Sequence, residues 1–160
     1  MQDNQLIPFA ELLFFAYRDF VSDPDEILND IGFGRAHHRV LHFVNQEPGL
    51  RVADLLEILK ITKQSLARVL KQLIDEEYIR QETGQADRRE RHLYATDKGK
   101  ELAHTLMEPQ LERIKSALEG KSQDEQQLII GFLYKMIEDQ DETIASNHLN
   151  KILRQSRNNK

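Results

Sequence analysis

Residues 84–92 read GQADRRERH, and three arginines, Arg88, Arg89 and Arg91, fall within four positions of a chain whose formal net charge is −5. Guanidinium groups crowded on a turn suit either bulk water or a phosphate-lined groove whose negative potential attracts them. A second group of polar side chains lies upstream. In KQSLARVLKQLIDEE, Leu66, Val69, Leu70 and Leu73 recur at helical spacing. Stepping about 100° per residue from Leu66 puts Gln64, Arg68, Lys71 and Asp75 on the opposite face, flanked by Ser65 and Gln72. Arginine can bridge guanine O6 and N7, and glutamine can bridge adenine N6 and N7. This face therefore carries the chemistry of major-groove readout, although Arg and Lys fit a solvated helix face equally well.

The remaining chemistry-bearing residues point elsewhere. His38 and His42 are four apart in a helical stretch, with His37 adjacent, a spacing that can aim two imidazoles at zinc. No HExxH motif accompanies them and a third ligand would have to come from elsewhere, so packing or hydrogen bonding is the expected role and no metal or cofactor is expected. The chain has no cysteine, which excludes disulfides, thiolate metal sites and a thiol nucleophile. Without a glycine-rich phosphate loop or an acid–base pair at helical spacing, an enzyme has little support.

These residues need elements to hold them. LIPFAELLFFAYRDFVSD places Leu6, Phe9, Leu13, Tyr17 and Phe20 at helical spacing, and Leu12, Phe14, Phe15 and Ala16 widen the stripe beyond one face. SDPDE and IGFGR read as a break, followed by a helix over about 35–46 that ends at Pro48-Gly49. RVADLLEILK and KQSLARVLKQLIDEE then form two short helices around the turn Lys60-Ile61-Thr62. Thr62 is the expected N-cap, and Lys63 opens the second helix. YIRQET and RHLYAT are strands on either side of a GQAD turn, giving a two-stranded hairpin. Helix, turn, helix and hairpin make a winged helix-turn-helix, with GQADRRERH as the tip of its wing.

Thr96 can cap a long helix that contains Pro109, and Ser122 with Glu125 forms a capping box for the last one, which carries Phe132, Leu133 and Met136. Leu149, Ile152 and Leu153 continue an apolar pattern, and QSRNNK reads as a frayed tail. The expected fold is mainly α with a small β-hairpin wing. Residues 35–100 are the winged helix-turn-helix, and 1–34 with 101–160 form a helical dimerisation region. From Arg51 to Lys100 there are 11 Lys+Arg against 9 Asp+Glu, or +2, leaving −7 for the remainder. The middle of the chain is its electropositive part. The longest apolar run, LLFFAY, falls short of the roughly 20 residues needed to cross a bilayer. With no basic residue before the first apolar stretch, no secretory signal is expected and the protein reads as cytoplasmic, with no membrane partner.

LLEILKITKQSLARVLKQLIDEEYI followed by GQADRRERHLYATDKGKEL resembles the MarR (multiple-antibiotic-resistance regulator) family of dimeric winged-helix transcription factors. Asp87-x-Arg89, then Leu93, Thr96 and Gly99, is similar to that family's D-x-R…L-x-x-T-x-x-G pattern. The chain departs from it at Glu77, where glycine is usual, at Arg51, where a capping Ser or Thr is common, and at Ala95, where a larger apolar residue is common.

The resemblance implies a regulator that binds a pseudo-palindromic site in double-stranded DNA as a homodimer. Thr62, Lys63, Gln64, Ser65, Arg68 and Lys71 would serve on the recognition helix. On the wing, Arg89 would enter the minor groove, Arg88 and Arg91 would meet phosphate, and Asp87 would pair with Arg89 or a neighbouring arginine to hold the tip. Phe9, Leu13, Phe14, Tyr17, Phe132, Leu133 and Met136 would lie in the dimer interface. A small-molecule effector, of an identity the sequence does not specify, would bind between the first helix, helix 35–46 and the winged module. The alternative is a winged-helix module with protein partners alone, for which Arg68 and Arg89 would be dispensable.

Overall fold

The computed structural model describes residues 3–84, 87–137 and 139–158. Gln85 and Ala86 of the expected wing turn, and Asn159 and Lys160 of the expected tail, lie outside the described residues. Helix α1 spans Asp3–Ser22, α2 Asp25–Asp30 and α3 Arg35–Gln46. Strand β1, Leu50–Arg51, leads directly into α4, Val52–Leu59, and α5, Lys63–Asp75, follows. Strands β2, Ile79–Thr83, and β3, Arg91–Ala95, precede α6, Asp97–Leu118; α7, Gln123–Lys135, and α8, Asp139–Asn158, complete the order. No helix among the described residues is long and apolar enough to cross a membrane.

Three features correct the sequence reading. The wing is a three-stranded antiparallel sheet in the order β1-β3-β2, since Leu50 pairs with Leu93 and Arg51 with His92. A two-residue strand is too short to show alternation, so the sequence displays only a hairpin. SDPDE is not merely a break: α2 starts after Pro24, and Asp25 and Glu26 in its first turn complement the helix dipole. The tail is not frayed over its described part, because α8 runs through Asn147-His148 to Asn158 without a glycine or proline. The side chain of Leu153, part of the expected apolar pattern, lies outside the described residues.

The core lies beneath the winged module. Leu41 and Val44 of α3, Leu55 of α4, Leu66 and Leu73 of α5, Ile79 and Leu93 of the sheet and Leu106 of α6 are all buried. Truncating such a leucine to alanine costs about 2–5 kcal/mol, so α5 and the base of the wing are tied to one core.

The joint between α5, β2 and α6 fixes the base of the wing. After α5 ends, Glu77 takes φ +63°, its N–H donates to the Ile74 carbonyl at 3.0 Å, and the Tyr78 N–H donates to the Leu73 carbonyl at 2.8 Å. This is a Schellman arrangement in which the left-handed residue is usually glycine. Thr96 caps α6 by accepting from the Gly99 N–H at 3.1 Å, while its hydroxyl donates to the Glu77 carbonyl at 2.6 Å. A Cβ on Gly99 would lie 2.0 Å from the Tyr78 carbonyl oxygen. The Leu93, Thr96 and Gly99 spacing is thus one junction: a buried strand residue, a helix cap and a close backbone approach.

Candidate nucleic-acid interface

The α4–α5 turn is built as its residues require. Lys60 adopts a left-handed φ of 49°, and Thr62 accepts from the Ser65 N–H at 3.1 Å. The Thr62 hydroxyl also donates to Ser65 Oγ at 2.9 Å. Lys63, Gln64, Ser65, Arg68 and Lys71 are exposed, opposite the buried Leu66, Val69, Leu70 and Leu73. Arg68 and Lys63 have no ion-pair partner among the described residues, whereas Lys71 pairs with Asp75 one turn on. Gln72 is withdrawn from the exposed face, with Oε1 2.8 Å from His37 Nε2 and Nε2 donating to Glu76 at 2.9 Å.

The wing tip differs in one respect from the expectation. Asp87 does not form an ion pair with an arginine side chain; its Oδ1 accepts from the Arg89 backbone N–H at 2.8 Å. An Asx turn holds the chain by its backbone, which leaves the Arg89 guanidinium uncommitted. Arg88 and Arg89 are both exposed and carry no side-chain partner among the described residues. Arg91 folds back, donating to the carbonyls of Arg88 at 2.6 Å and Glu90 at 3.1 Å. Its first task is to brace the hairpin, which the sequence alone does not show.

A cleft of about 730 Å³ separates the two elements, with Lys63, Lys71, Arg89 and Arg91 around an apolar floor that includes Leu56, Ala67 and Ile74. Arg51, which the sequence marks only as a departure at a capping position, stands at one end of this cleft. Its guanidinium forks onto Asp54 at 2.8 and 2.6 Å and reaches Glu90 at 3.0 Å. Hydrogen bonding to Asp54, then to Glu90, raises the Arg51 pKa above its usual value, and Arg51 lowers that of Asp54. Arg80 lies over the Tyr94 ring at 4.4 Å, a stacked guanidinium on the wing. Neither contact has a periodic signature; both depend on strand register.

The histidines do not converge on a metal arrangement: among the described residues no group of three His, Cys, Asp or Glu could hold an ion. His37 stacks on Phe33 at 4.6 Å between ring centroids and accepts from the Gly34 N–H at 3.1 Å. His38 and His42 line a smaller crevice of about 220 Å³ together with Tyr17, Phe20, Arg39 and Met107. Burial lowers the pKa of His38 and, with the neighbouring His38 and His148, brings that of His42 to about 4.

A sequence model described as MarR family matches residues 31–90. The HTH-type transcriptional regulator PetP of Rhodobacter capsulatus is 50% identical over 117 residues, 73% of this chain and 70% of that protein. The chain belongs to the MarR family. Its fold is similar to that of a putative MarR family regulator from Listeria monocytogenes complexed with 26mer DNA, with TM-score 0.69 and 20% identity over 88% of this chain and 91% of that one. It is also similar to Streptococcus pneumoniae FabT in complex with DNA, with TM-score 0.69 and 17% identity over 81% and 92% of the two chains. MarR-family membership accounts for the winged helix and for the D-x-R wing. The Arg51–Glu90 contact and the left-handed Glu77 fall at two positions that the sequence reading marks as departures.

Proposed function

We propose that this MarR-family regulator reads a pseudo-palindromic DNA operator as a homodimer. The observation that carries the reading is that Arg68 on α5 and Arg88 and Arg89 on the wing have no side-chain partner among the described residues, on elements tied to one core. The α5 face of Gln64, Ser65 and Arg68 has the donors and acceptors that distinguish base edges in a major groove. A wing tip whose backbone is held by Asp87 can present Arg89 to an adjacent minor groove. Lys63, Lys71 and Arg91 add phosphate attraction around the cleft. The DNA in the two named structural neighbours supports the same partner.

Dimerisation would use the apolar surfaces of α1 and α7. Phe9, Phe14, Tyr17, Phe132, Leu133 and Met136 are exposed in the single chain, and Phe9 stands 6.3 Å from Phe132 between ring centroids, so the two helices share one surface. Leu13 is half-buried at its edge.

The crevice between α1 and α3 would admit a small effector. Arg39, on its wall, donates to the carbonyl of Leu59 at the end of α4 at 3.3 Å. A ligand that engages Arg39 would disturb the α4–α5 turn, and it would shift the population of reading heads only by its differential affinity for the two states.

Selection of bound duplexes from a random pool, followed by sedimentation of the selected complex, tests the reading. The expected result is a two-fold symmetric motif occupied by two chains. Salt-sensitive binding with no motif, or a motif occupied by one chain, would contradict it.

A further inference from the structure

We propose that Arg51 and Glu90 are positioning residues for DNA readout: their bridge fixes the outer wing over the cleft beside α5 and so sets which flanking base pairs the wing can read. The inference rests on the operator-binding reading above and concerns how the wing is aimed.

The wing has two mechanically different halves. Its base is fixed by burial, since Ile79 and Leu93 belong to the core. Further out, Arg89, Glu90 and Arg91 line the cleft opposite α5, so packing against the recognition helix does not fix the pitch of these described residues. A chain of polar contacts reaches this half from the helical part. Asp54, in the first turn of α4, grips Arg51 through Nε and Nη2, which leaves Nη1 to donate to Glu90 Oε1 at 3.0 Å. The other Glu90 oxygen lies 3.2 Å from His92 Nε2, and His92 Nδ1 donates to the Gly49 carbonyl oxygen at 3.0 Å. The circuit therefore leaves the chain just before β1, crosses the wing at Glu90 and returns to the start of α4.

Glu90 also belongs to the tip itself. Its N–H donates to the Asp87 carbonyl at 3.1 Å and its carbonyl accepts from the Gly84 N–H at 3.1 Å. Asp87 in turn holds the Arg89 backbone. A displacement at Glu90 is thus passed to Arg89 within three residues. Guanidinium geometry suits the task, because a planar fork can hold Asp54 and Glu90 at once, whereas a lysine is a point charge on a flexible stem. A carboxylate beside DNA is otherwise unfavourable, and its place here is explained by the contact with Arg51.

The test separates aim from charge. Arg51→Ala removes both the bridge and a cation that could meet phosphate. Glu90→Ala removes the bridge, keeps Arg51 and makes the wing more positive. Glu90→Gln keeps an acceptor for Arg51 Nη1. Each is measured as the full chain on the selected operator, on operators altered in the flanks and on operators altered in the positions read by α5.

Both alanine variants should lose about two- to fivefold in flank discrimination, the range of an exposed ion pair, while discrimination at the α5 positions is kept. Glu90→Gln should recover most of the loss, with thermal midpoints close to that of the parent. If Glu90→Ala binds as well or better with an unchanged flank preference, Arg51 is only a phosphate contact and the inference fails. Should the parent select no duplex sequence at all, the operator reading fails and takes this inference with it.

Discussion

At the scale of single residues, Arg68 and Arg89 are both cations without a side-chain partner among the described residues, yet the surfaces that hold them predict different losses. Arg68 stands on a rigid helix face beside Gln64 and Ser65. Arg68→Ala should relax base preference at particular positions and cost about 1–3 kcal/mol at the selected site. In the proposed complex Arg89 would read groove width and potential rather than base identity. Arg89→Ala should weaken binding across many sequences, most at A·T-rich flanks, and should flatten the salt dependence. Titration of both variants on selected and unrelated duplex over a range of salt distinguishes them; an unchanged salt slope and flank preference for Arg89→Ala would leave the wing arginines as solvated charge. His42 makes a separate prediction about pH. Burial first, then His38 and His148, depress its pKa to about 4 from 6.5. The folded state therefore resists protonation that the unfolded state accepts. Stability should be fully present above about pH 6.5 and fall as the pH drops towards 4, by on the order of 2 kcal/mol. The carboxylates of Asp25 and Asp54, whose pKa values are lowered by Arg35 and Arg51, act at lower pH. Urea denaturation at pH 7 and pH 5 should show a smaller difference for His42→Gln than for the parent, and equal differences would remove His42 as the cause.

Among the elements, the joint after α5 combines a left-handed Glu77 with a close backbone approach at Gly99. Glu77 occupies a left-handed conformation at φ +63° that costs a non-glycine residue roughly 1 kcal/mol or more. Glu77→Gly should raise stability by about 0.5–1 kcal/mol, the relief of strain outweighing the added freedom of the unfolded chain. Gly99→Ala should do the opposite and cost about 2–4 kcal/mol, because a Cβ there meets the Tyr78 carbonyl oxygen at 2.0 Å. Chemical denaturation of the two variants checks both signs, and a neutral Gly99→Ala would mean that α6 can shift without loss. What is legible at this scale follows from period and chemistry. α3, α4, α5 and α7 show clear helical spacing or caps, and Thr62, Thr96 and the Ser122–Glu125 box all cap as their side chains allow. β1 and α2 escape a reading by pattern because two and six residues are too few to display a period. The exposed face of α5 can be read from angular stepping alone. The role of Arg51 cannot, since its partner Glu90 lies 39 positions away and the two meet only once β1 has paired with β3. The partner of Asp87 is half legible: the residue type predicts a local anchor, but whether it holds a guanidinium or a backbone N–H depends on the turn.

For the whole molecule, the deciding imbalance lies between the covered core and the uncovered ends. The winged module buries leucines from five elements, whereas α1 and α7 have no buried residue although they carry many of the chain's large apolar side chains. Phe14 is 73% exposed and Leu128 is 74% exposed. Surfaces of this kind on a small protein mark an interaction site. A self-complementary pairing of α1 and α7 would cover them and hold two reading heads at one spacing, which a pseudo-palindromic operator requires. Obligate interfaces bury more than roughly 2,000 Å², so the chain should sediment as a dimer at micromolar concentration. Phe14→Asp and Leu133→Asp should each place a charge in that interface and cause dissociation. The same substitutions should weaken operator binding far more than binding of a single half-site, because the core under the winged module contains no residue of α1 or α7 and the loss is one of linked occupancy. Sedimentation and half-site titration of the two variants measure this separation. A stable folded monomer of the parent protein that occupies the full operator with unchanged affinity would show that spacing is not set by α1 and α7.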